Sequence, residues 1–340
     1  MRILVFGAGA IGSLMGWALA GAGHEVSHYV RRRSVRRLQH GFDLDLLDGR
    51  QRPAVVVRER YLPRLITSRD APPEHELLVV SVGHAALPNA LPRVVAAAGE
   101  APVLFLMGLW TGAHEVDAVL PRRRFLWGLP TAAAAFDPSR QSLRAALLPG
   151  LRLGAFTGLP PEDLYRRVTE ALAAAGLKTH LQADMEHWLQ IRFAIEAGLV
   201  GAAFMAGGPA SLLKDRAALR EALLAVRDAL RVCERLGADV RSFREVMPFY
   251  MSTGLAVRLI PAVLERNPVM ARMAEILSER QSAGAVFHEV LRTGHELGVD
   301  MPQLQALSTA VPHPADNPSS GSGDYANDDA PLDKPPTTDS

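Results

Sequence analysis

Apolar residues in the first half of the chain fall into short runs separated by helical stretches. The runs at 1–6, 77–82 and 102–107 are rich in branched residues, as in parallel strands that are buried on both faces. Helical patterns follow the first two runs, at 13–22 and 86–98. Shorter strands are predicted at 24–30, 54–57 and 124–128, and a hairpin at 140–155. Strands that alternate with helices predict an α/β fold of Rossmann type, with a doubly wound parallel sheet.

From residue 162 onward the pattern changes to long helices, and no strand is expected there. The predicted helices cover 163–175, 185–205, 212–236, 253–265 and 269–297. The stretch from Pro312 contains six Asp and one Lys and has no apolar periodicity, so it cannot bury enough surface to fold. We therefore predict three parts: a Rossmann domain at 1–160, an all-α domain at 161–311 that binds substrate or forms a dimer, and a disordered acidic tail at 312–340.

A glycine-rich loop joins the first strand to the first helix. It has the G-x-G-x-x-G spacing of dinucleotide-binding loops and consists of Gly7, Ala8, Gly9, Ala10, Ile11 and Gly12. The first glycine permits a tight turn, the second lets the backbone approach a pyrophosphate, and the third lets helix and strand pack closely. The stretch 3–23 has no charge and is long enough for a membrane anchor, but six of its residues are glycine. Dinucleotide binding is the preferred interpretation.

The second strand ends at Arg31, where proteins that bind NAD usually have a carboxylate. Four more arginines follow by position 37, and the first acidic residue is Asp43. Because arginine accommodates the 2′-phosphate of the nucleotide, NADP(H) is the predicted cofactor. A solvated basic loop is the alternative interpretation.

Two further strand ends contribute residues to the same edge of the sheet, where such folds bind ligands. Gly83 and His84 follow one strand, and Met107 and Gly108 end the next, so all four are predicted to lie at the cofactor site. We expect His84 to lie beside the nicotinamide or its ribose, with a structural role as the alternative.

Composition adds limits to this picture. The overall charge is +1, which gives no argument for a nucleic-acid partner, although the acidic tail leaves the rest of the chain at +6. The one cysteine, Cys233, excludes an internal disulfide and a cysteine-rich metal site, and it fits a cytoplasmic protein. His288 and His295 share a helix face, but no further ligands stand out, so no metal site is predicted. Neither a nucleic acid nor a membrane is an expected partner.

These features together resemble the ketopantoate reductase (2-dehydropantoate 2-reductase) family over about residues 1–308. The matching landmarks are the N-terminal block up to Gly12, Arg31, Trp188 at the start of the catalytic helix, and the G-[IV]-x-x-P pattern at 298–302. The family glycine expected at His288 is missing. The resemblance implies that a hydride from NADPH reduces the ketone of a 2-keto acid, aided by a lysine, an acidic residue and asparagines.

The polar residues that the family uses for this chemistry are replaced in this chain. The lysine position reads Gln190, and the asparagine positions after it read Ala194 and Gly198. The Gln-Asn-Gly before the sheet edge reads 106–108 Leu-Met-Gly, and the glutamate position falls at Ser282. Gln190 and Ser282 are therefore the catalytic positions that the resemblance implies, both substituted.

Two charged residues on the same helix, Arg192 and Glu196, are further catalytic candidates. They are four residues apart, so a simple helix ion pair is the preferred interpretation, and contact with substrate is the alternative. A shift of register by two residues would replace Gln190 with Arg192, and a shift of three would replace Ser282 with Glu279, but a shift of two turns a helical side chain to another face.

We therefore expect an NADP(H)-dependent oxidoreductase that reduces the keto group of a small carbonyl-containing molecule other than ketopantoate. A non-catalytic NADP(H)-binding sensor or partner subunit is one alternative, and an opine-type or 3-hydroxyacid dehydrogenase is another. The apolar stripe at 212–236 is predicted to be core or the seam of a homodimer.

Overall fold

The computed structural model describes residues 1–67, 74–137, 141–278 and 283–313. The strands are β1 Arg2–Phe6, β2 Glu25–Val30, β3 Phe42–Asp48, β4 Val55–Tyr61, β5 Arg64–Thr67, β6 Leu77–Val80, β7 Val103–Leu106, β8 Phe125–Asp137, β9 Ser142–Gly154 and β10 Lys178–Leu181. The helices are α1 Ala10–Gly21, α2 Arg32–Leu38, α3 Leu87–Ala98, α4 Ala113–Asp117, α5 Glu162–Ala174, α6 Met185–Met205, α7 Pro209–Lys214, α8 Arg216–Arg235, α9 Met247–Tyr250, α10 Thr253–Glu265, α11 Pro268–Ser278, α12 Ala283–Glu296 and α13 Pro302–Leu307.

The strands within the described ranges form one mostly parallel sheet. Its order is β4-β3-β9-β8-β7-β6-β1-β2-β5, and β10 pairs with the far end of β9. Two pairs are antiparallel, β3 with β4 and β8 with β9. A Rossmann-type sheet followed by a helical region confirms the predicted fold class.

The central strands are apolar on both faces because both faces are covered. Every residue of β6 and β7 is buried, as expected for parallel strands between two layers of helices. A continuous cluster of buried side chains runs from one face of the sheet through α3 into α6, α8 and α12. The helical region is thus built onto the sheet through a shared core.

Helices α6 and α8 form the centre of the helical region. A Cβ on Gly198 would lie 2.7 Å from the backbone nitrogen of Val226, so the two helices pack almost backbone to backbone. The apolar stripe of α8 is core within this one chain, because its side chains are at most 3% exposed. These are Leu219, Leu223, Val226, Leu230 and Cys233.

Three expectations for the secondary structure are wrong. A strand does exist beyond residue 162, namely β10, whose exposed residues carry no apolar signal. The helix predicted at 212–236 is interrupted at Asp215, whose carboxylate caps α8 by accepting hydrogen bonds from the amides of Ala217 and Ala218. The two stretches assigned to a hairpin at 140–155 lie on one strand, β9, which pairs with β8.

Among the helices in the described ranges, α6 alone is long and apolar enough to cross a membrane. In its most apolar window, 67% of the residues are buried inside the protein. The helix α1, where a membrane anchor was the alternative interpretation, is 12 residues long.

Candidate functional site

The glycine-rich loop has the geometry that its spacing predicts. Gly7 has a φ of +106°, and a Cβ there would lie 2.4 Å from the carbonyl oxygen of Ser81. A Cβ on Gly12 would lie 2.7 Å from the carbonyl oxygen of Gly7. No other residue fits either position without moving backbone, so the loop and the first turn of α1 depend on both glycines.

The N-terminus of α1 has the donor set of an anion site. Its N-cap is Gly9, which offers no side-chain cap, and the first turn contains no acidic residue. A Cβ on Gly9 would meet nothing within 4 Å, so open space lies in front of the helix. Unpaired amides and the helix dipole at such a position fit a pyrophosphate.

Arg31 directly follows β2 and is the N-cap residue of α2. Its carbonyl oxygen accepts a hydrogen bond of 2.8 Å from the amide of Ser34, and both residues line the same cleft as the glycine loop. The strand end thus presents a cation and a hydroxyl, the groups that suit a phosphate on the ribose.

A cleft of about 870 Å³ extends from this loop to the helical region. We call the part lined by residues 6–11, 29–31, 34, 81–86 and 106–108 the loop side. All the predicted cofactor residues except Gly12 line it, namely Gly7, Ala8, Gly9, Ala10, Ile11, Arg31, Gly83, His84, Met107 and Gly108. Gly12 packs behind the loop, against Gly7 and Ser81.

The opposite part of the cleft, which we call the helix side, is formed by one face of α6 and by residues from β9, α11 and the segment before α9. The α6 residues in it are Trp188, Leu189, Arg192, Phe193 and Glu196. Their spacing of one, four, five and eight residues from Trp188 places them within one arc of a helix.

The substituted family positions lie elsewhere. Gln190 is 7% exposed and is not among the described residues that line the cleft, and no described residue hydrogen-bonds its Oε1. Ser282 and the alternative Glu279 lie outside the described residues. In contrast, Arg192 and Glu196 both line the cleft, with Arg192 exposed in it.

The simple ion pair expected between Arg192 and Glu196 is not formed. Both residues are described, and no ion pair or hydrogen bond joins them. Within the described ranges no carboxylate pairs with Arg192, so its guanidinium is available to a ligand in the cleft.

A polar network on the helix side was not predicted from the sequence. Glu245 Oε1 accepts a hydrogen bond of 2.7 Å from Arg152 and one of 3.2 Å from the indole of Trp188. Burial raises the pKa of Glu245, but its own backbone amide, Trp188 and Arg152 outweigh burial and lower the pKa overall. Glu245 is therefore an ionised acceptor. The sequence feature that could have indicated this network is Arg152, a charged residue between two leucines in a stretch predicted to be extended.

The wall beside this network is apolar. Met270, Met273 and Leu277 lie at positions i, i+3 and i+7 of α11 and face the cleft together, with Leu129 and Ala132 from β8. Methionine side chains adapt to irregular apolar shapes. This wall suits an apolar substituent better than a polar one.

Helix α12 closes the cleft onto the edge of the sheet. His84 Nε2 forms a short contact with Glu289 Oε2, and the Trp110 indole donates a hydrogen bond of 2.9 Å to Thr293 Oγ1. Between these contacts, the ring of Phe193 lies edge-on to His84 at 4.8 Å and stacks on Trp110 at 5.6 Å. Strand ends and two helices thus meet around one aromatic side chain.

Buried titratable groups outside the cleft support the fold. His28 lies under α1, where burial lowers its pKa to about 4, and Tyr61 donates or accepts a 3.2 Å hydrogen bond at its Nε2. Burial also raises the pKa of the Cys233 thiol.

His288 and His295 contact the carbonyl of Val311 and the amide of Gln305, respectively. The described residues contain no cluster of three or more side chains that could hold a metal ion.

Residues 3–157 match the family model of ketopantoate reductase PanE/ApbA. The match covers the N-terminal part of the chain, and its family is the one that the sequence resemblance indicated. No curated protein matches the chain.

Solved structures extend the likeness to almost the whole chain. D-mandelate dehydrogenase in its ternary complex with NADH and anilino(oxo)acetate gives a TM-score of 0.66 at 15% identity, covering 92% of this chain and 97% of that chain. The 2-dehydropantoate 2-reductase of Geobacter metallireducens GS-15 gives 0.64 at 17%, covering 92% and 99%. A PanE/ApbA family ketopantoate reductase of Ralstonia eutropha JMP134 gives 0.64 at 18%, covering 92% and 97%. At these identities the likeness shows a common fold.

Proposed function

We propose that the protein is an NADPH-dependent reductase that converts the keto group of a 2-oxo acid with an apolar substituent into an alcohol. The observation that supports this most directly is Arg192, which is exposed in the cleft that the glycine loop also lines and has no carboxylate partner among the described residues. When bound, the reduced nicotinamide supplies the hydride that the carbonyl carbon accepts.

The loop side is suited to hold the cofactor. The amides at the start of α1 receive the pyrophosphate, and Arg31 with Ser34 receives the 2′-phosphate. Because the sheet order is β2-β1-β6-β7, a dinucleotide that starts at β2 and crosses β1 extends toward Gly83, His84 and Gly108.

The role of Arg192 is to bind and orient the acid. A guanidinium forms two parallel hydrogen bonds with a carboxylate, which fixes the plane of a 2-oxo acid. The family lysine would have contributed a mobile proton, whereas Arg192 remains charged and acts through binding and electrostatic stabilisation.

The expected substrate differs from ketopantoate because the groups that hold a polar substituent in the family are absent here. Ala194, Gly198 and the buried Gln190 replace them, and the wall formed by Met270, Met273 and Leu277 is apolar. Branched aliphatic or aromatic 2-oxo acids fit this wall.

The test is a substrate panel with NADPH. We expect 4-methyl-2-oxopentanoate or phenylpyruvate to be reduced at least about tenfold more efficiently than ketopantoate, because each buried methylene favours binding. Arg192→Leu should lower kcat/KM by about 10- to 100-fold, since a charge-assisted hydrogen bond is lost. Arg192→Lys should lower kcat/KM less than Arg192→Leu does.

The matched control is Arg220→Leu, which removes an exposed arginine from α8 and should leave kcat/KM unchanged. Failure of every 2-oxo acid to oxidise NADPH would refute the proposal, and if NADPH still binds, the result would favour a nucleotide-binding protein without catalysis. An Arg192→Leu variant with wild-type kcat/KM would remove the residue on which the proposal depends.

A further inference from the structure

Reduction of a ketone needs a proton as well as a hydride, and Arg192, Gln190 and Glu245 do not provide it. Arg192 stays protonated at any pH that a protein tolerates. Gln190 is buried away from the cleft, and an amide donates a hydrogen bond but no proton. Glu245 is ionised and already accepts hydrogen bonds from Arg152 and Trp188.

We propose that His84, held by Glu289, donates the proton to the carbonyl oxygen of the substrate. The proposal rests on the reductase function proposed above. His84 lines the cleft in the segment that follows β6, and Gly83 before it and Gly108 after β7 line the same cleft. This is the edge of the sheet toward which the nicotinamide end of a bound dinucleotide extends.

The ring of His84 is fixed in place by its neighbours. Glu289 of α12 contacts its Nε2, and Phe193 of α6 packs edge-on against it at 4.8 Å. The His84 side chain is 17% exposed and that of Glu289 is 21% exposed, so the pair is largely shielded from solvent. A carboxylate at one ring nitrogen fixes the tautomer and stabilises the imidazolium.

The second ring nitrogen is left for a ligand. No described residue hydrogen-bonds Nδ1 of His84, and this atom is not among the fully buried polar atoms that lack a partner. A histidine whose one nitrogen meets a carboxylate and whose other nitrogen opens on a cleft has the geometry of a general acid.

The carbonyl carbon gains the hydride, and the carbon–oxygen π pair moves onto the oxygen. The oxygen takes the proton from Nδ1 of His84, and the ring becomes neutral with its remaining proton on Nε2, directed at Glu289. The product is the 2-hydroxy acid, and a proton from solvent restores the imidazolium for the next turnover.

The charged groups that share the cleft with His84 or contact it come from three helices. Glu289 of α12 contacts its ring, and Arg93 of α3 with Arg192 and Glu196 of α6 line the same cleft. Arg292 of α12 pairs with Glu296 at 2.7 Å and is engaged there.

Calorimetry with oxamate tests the proposal without turnover, because oxamate resembles a 2-oxo acid but cannot be reduced. Histidines are ordinarily neutral at pH 8, so oxamate should bind the NADPH complex with uptake of about one proton. Titration in two buffers of different ionisation enthalpy measures this uptake. His84→Gln should abolish it, and Glu289→Gln should reduce it.

His295→Gln is the control, since His295 lies on α12 and contacts Gln305; its proton uptake should equal that of the wild type. If the wild-type complex binds oxamate without taking up a proton, the assignment of His84 is wrong; if it does not bind oxamate, the 2-oxo acid substrate of the proposed function is wrong. This measurement on the wild-type protein decides the matter even if a variant does not fold.

Turnover separates this proposal from the function on which it rests. His84→Gln should lower kcat by about 100- to 10,000-fold while the Kd for NADPH stays within about twofold. If the wild type reduces 2-oxo acids and His84→Gln does so equally well, His84 is not the donor and the reductase function stands. If proton uptake depends on His84 but no 2-oxo acid is reduced, the reductase function fails and His84 remains the group that protonates on ligand binding.

Discussion

The loop side of the cleft is made largely of backbone, whereas the helix side is made of side chains that converge from β8, β9, α6, α11 and the segment before α9. On the loop side most of the key positions are glycines, which provide backbone amides as hydrogen-bond donors and leave room for a ligand. On the helix side the key positions are Arg192, Arg152, Glu245 and three apolar residues of α11. Backbone geometry tolerates little change, while side chains can be exchanged one at a time.

This difference indicates which properties are fixed and which vary within such a fold. A pyrophosphate site made of backbone is kept as long as the loop keeps its shape. A substrate site made of side chains changes with each substitution, and here those side chains include Arg192, Arg152 and Glu245. The substrate therefore depends mainly on the helix side.

The largest expected effect is that of Gly7→Ala, compared with Gly9→Ala. At Gly7 a Cβ would collide with the carbonyl of Ser81 at 2.4 Å, and its φ is positive, so the loop must deform. We expect NADPH binding to fall by more than about 100-fold and the protein to lose about 2–4 kcal/mol of stability. Gly9→Ala meets no protein atom, so it should weaken NADPH binding and leave the melting temperature unchanged. Fluorescence titration and thermal melts measure both; equal melting temperatures for the two variants would contradict a backbone-built loop side.

An intermediate effect is expected for Arg31→Ala, which removes a side chain from the loop side. Loss of the contact with the 2′-phosphate should weaken NADPH binding by about 10- to 100-fold and NADH binding by less than about twofold. Titration of the purified variant with each nucleotide gives the ratio. Equal losses for the two nucleotides would show that Arg31 does not distinguish them.

The smallest effect is expected for Thr293→Val, which tests how the helix side is held to the sheet. It leaves the buried indole N–H of Trp110 without its acceptor, at a cost of about 1–2 kcal/mol in the free energy of unfolding. Because α12 carries Glu289, which contacts His84, the kcat for the 2-oxo acid should fall while the Kd for NADPH stays the same. Denaturant unfolding and steady-state kinetics measure these quantities. A loss of nucleotide affinity as large as the loss of kcat would mean that the two sides are not separable.

Much of the fold could be predicted from the sequence because its signals are local. The G-x-G-x-x-G loop lies between β1 and α1 as its spacing requires, and the bounds of α6 coincide with the predicted 185–205. Features that depend on distant partners were missed. The polar strand β10 exists because β9 offers a free edge, and no property of residues 178–181 alone indicates this.

The residues of the candidate site also divide into those with a local sequence signal and those that depend on distant partners. Residues of the loop side follow strand ends and were found by position. The sequence resemblance placed a catalytic position two residues after Trp188, at Gln190. The face of α6 that meets the cleft carries Arg192 instead, because the orientation of a helix depends on the residues that pack behind it. Glu245 lies in an irregular stretch and Glu289 within an ordinary amphipathic helix, so neither could be singled out before the chain was folded.

The close packing of α6 on α8 has a consequence for how this protein can be changed. Gly198 and its neighbours are locked against Val226, so substitutions on that face would disturb the core. Arg192 and Glu196, which line the cleft, are not part of that packing. Substitutions at the cleft-facing positions of α6 can therefore change the reaction, whether they arise by natural divergence or by directed evolution. The packing of α6 on α8 is kept when they occur.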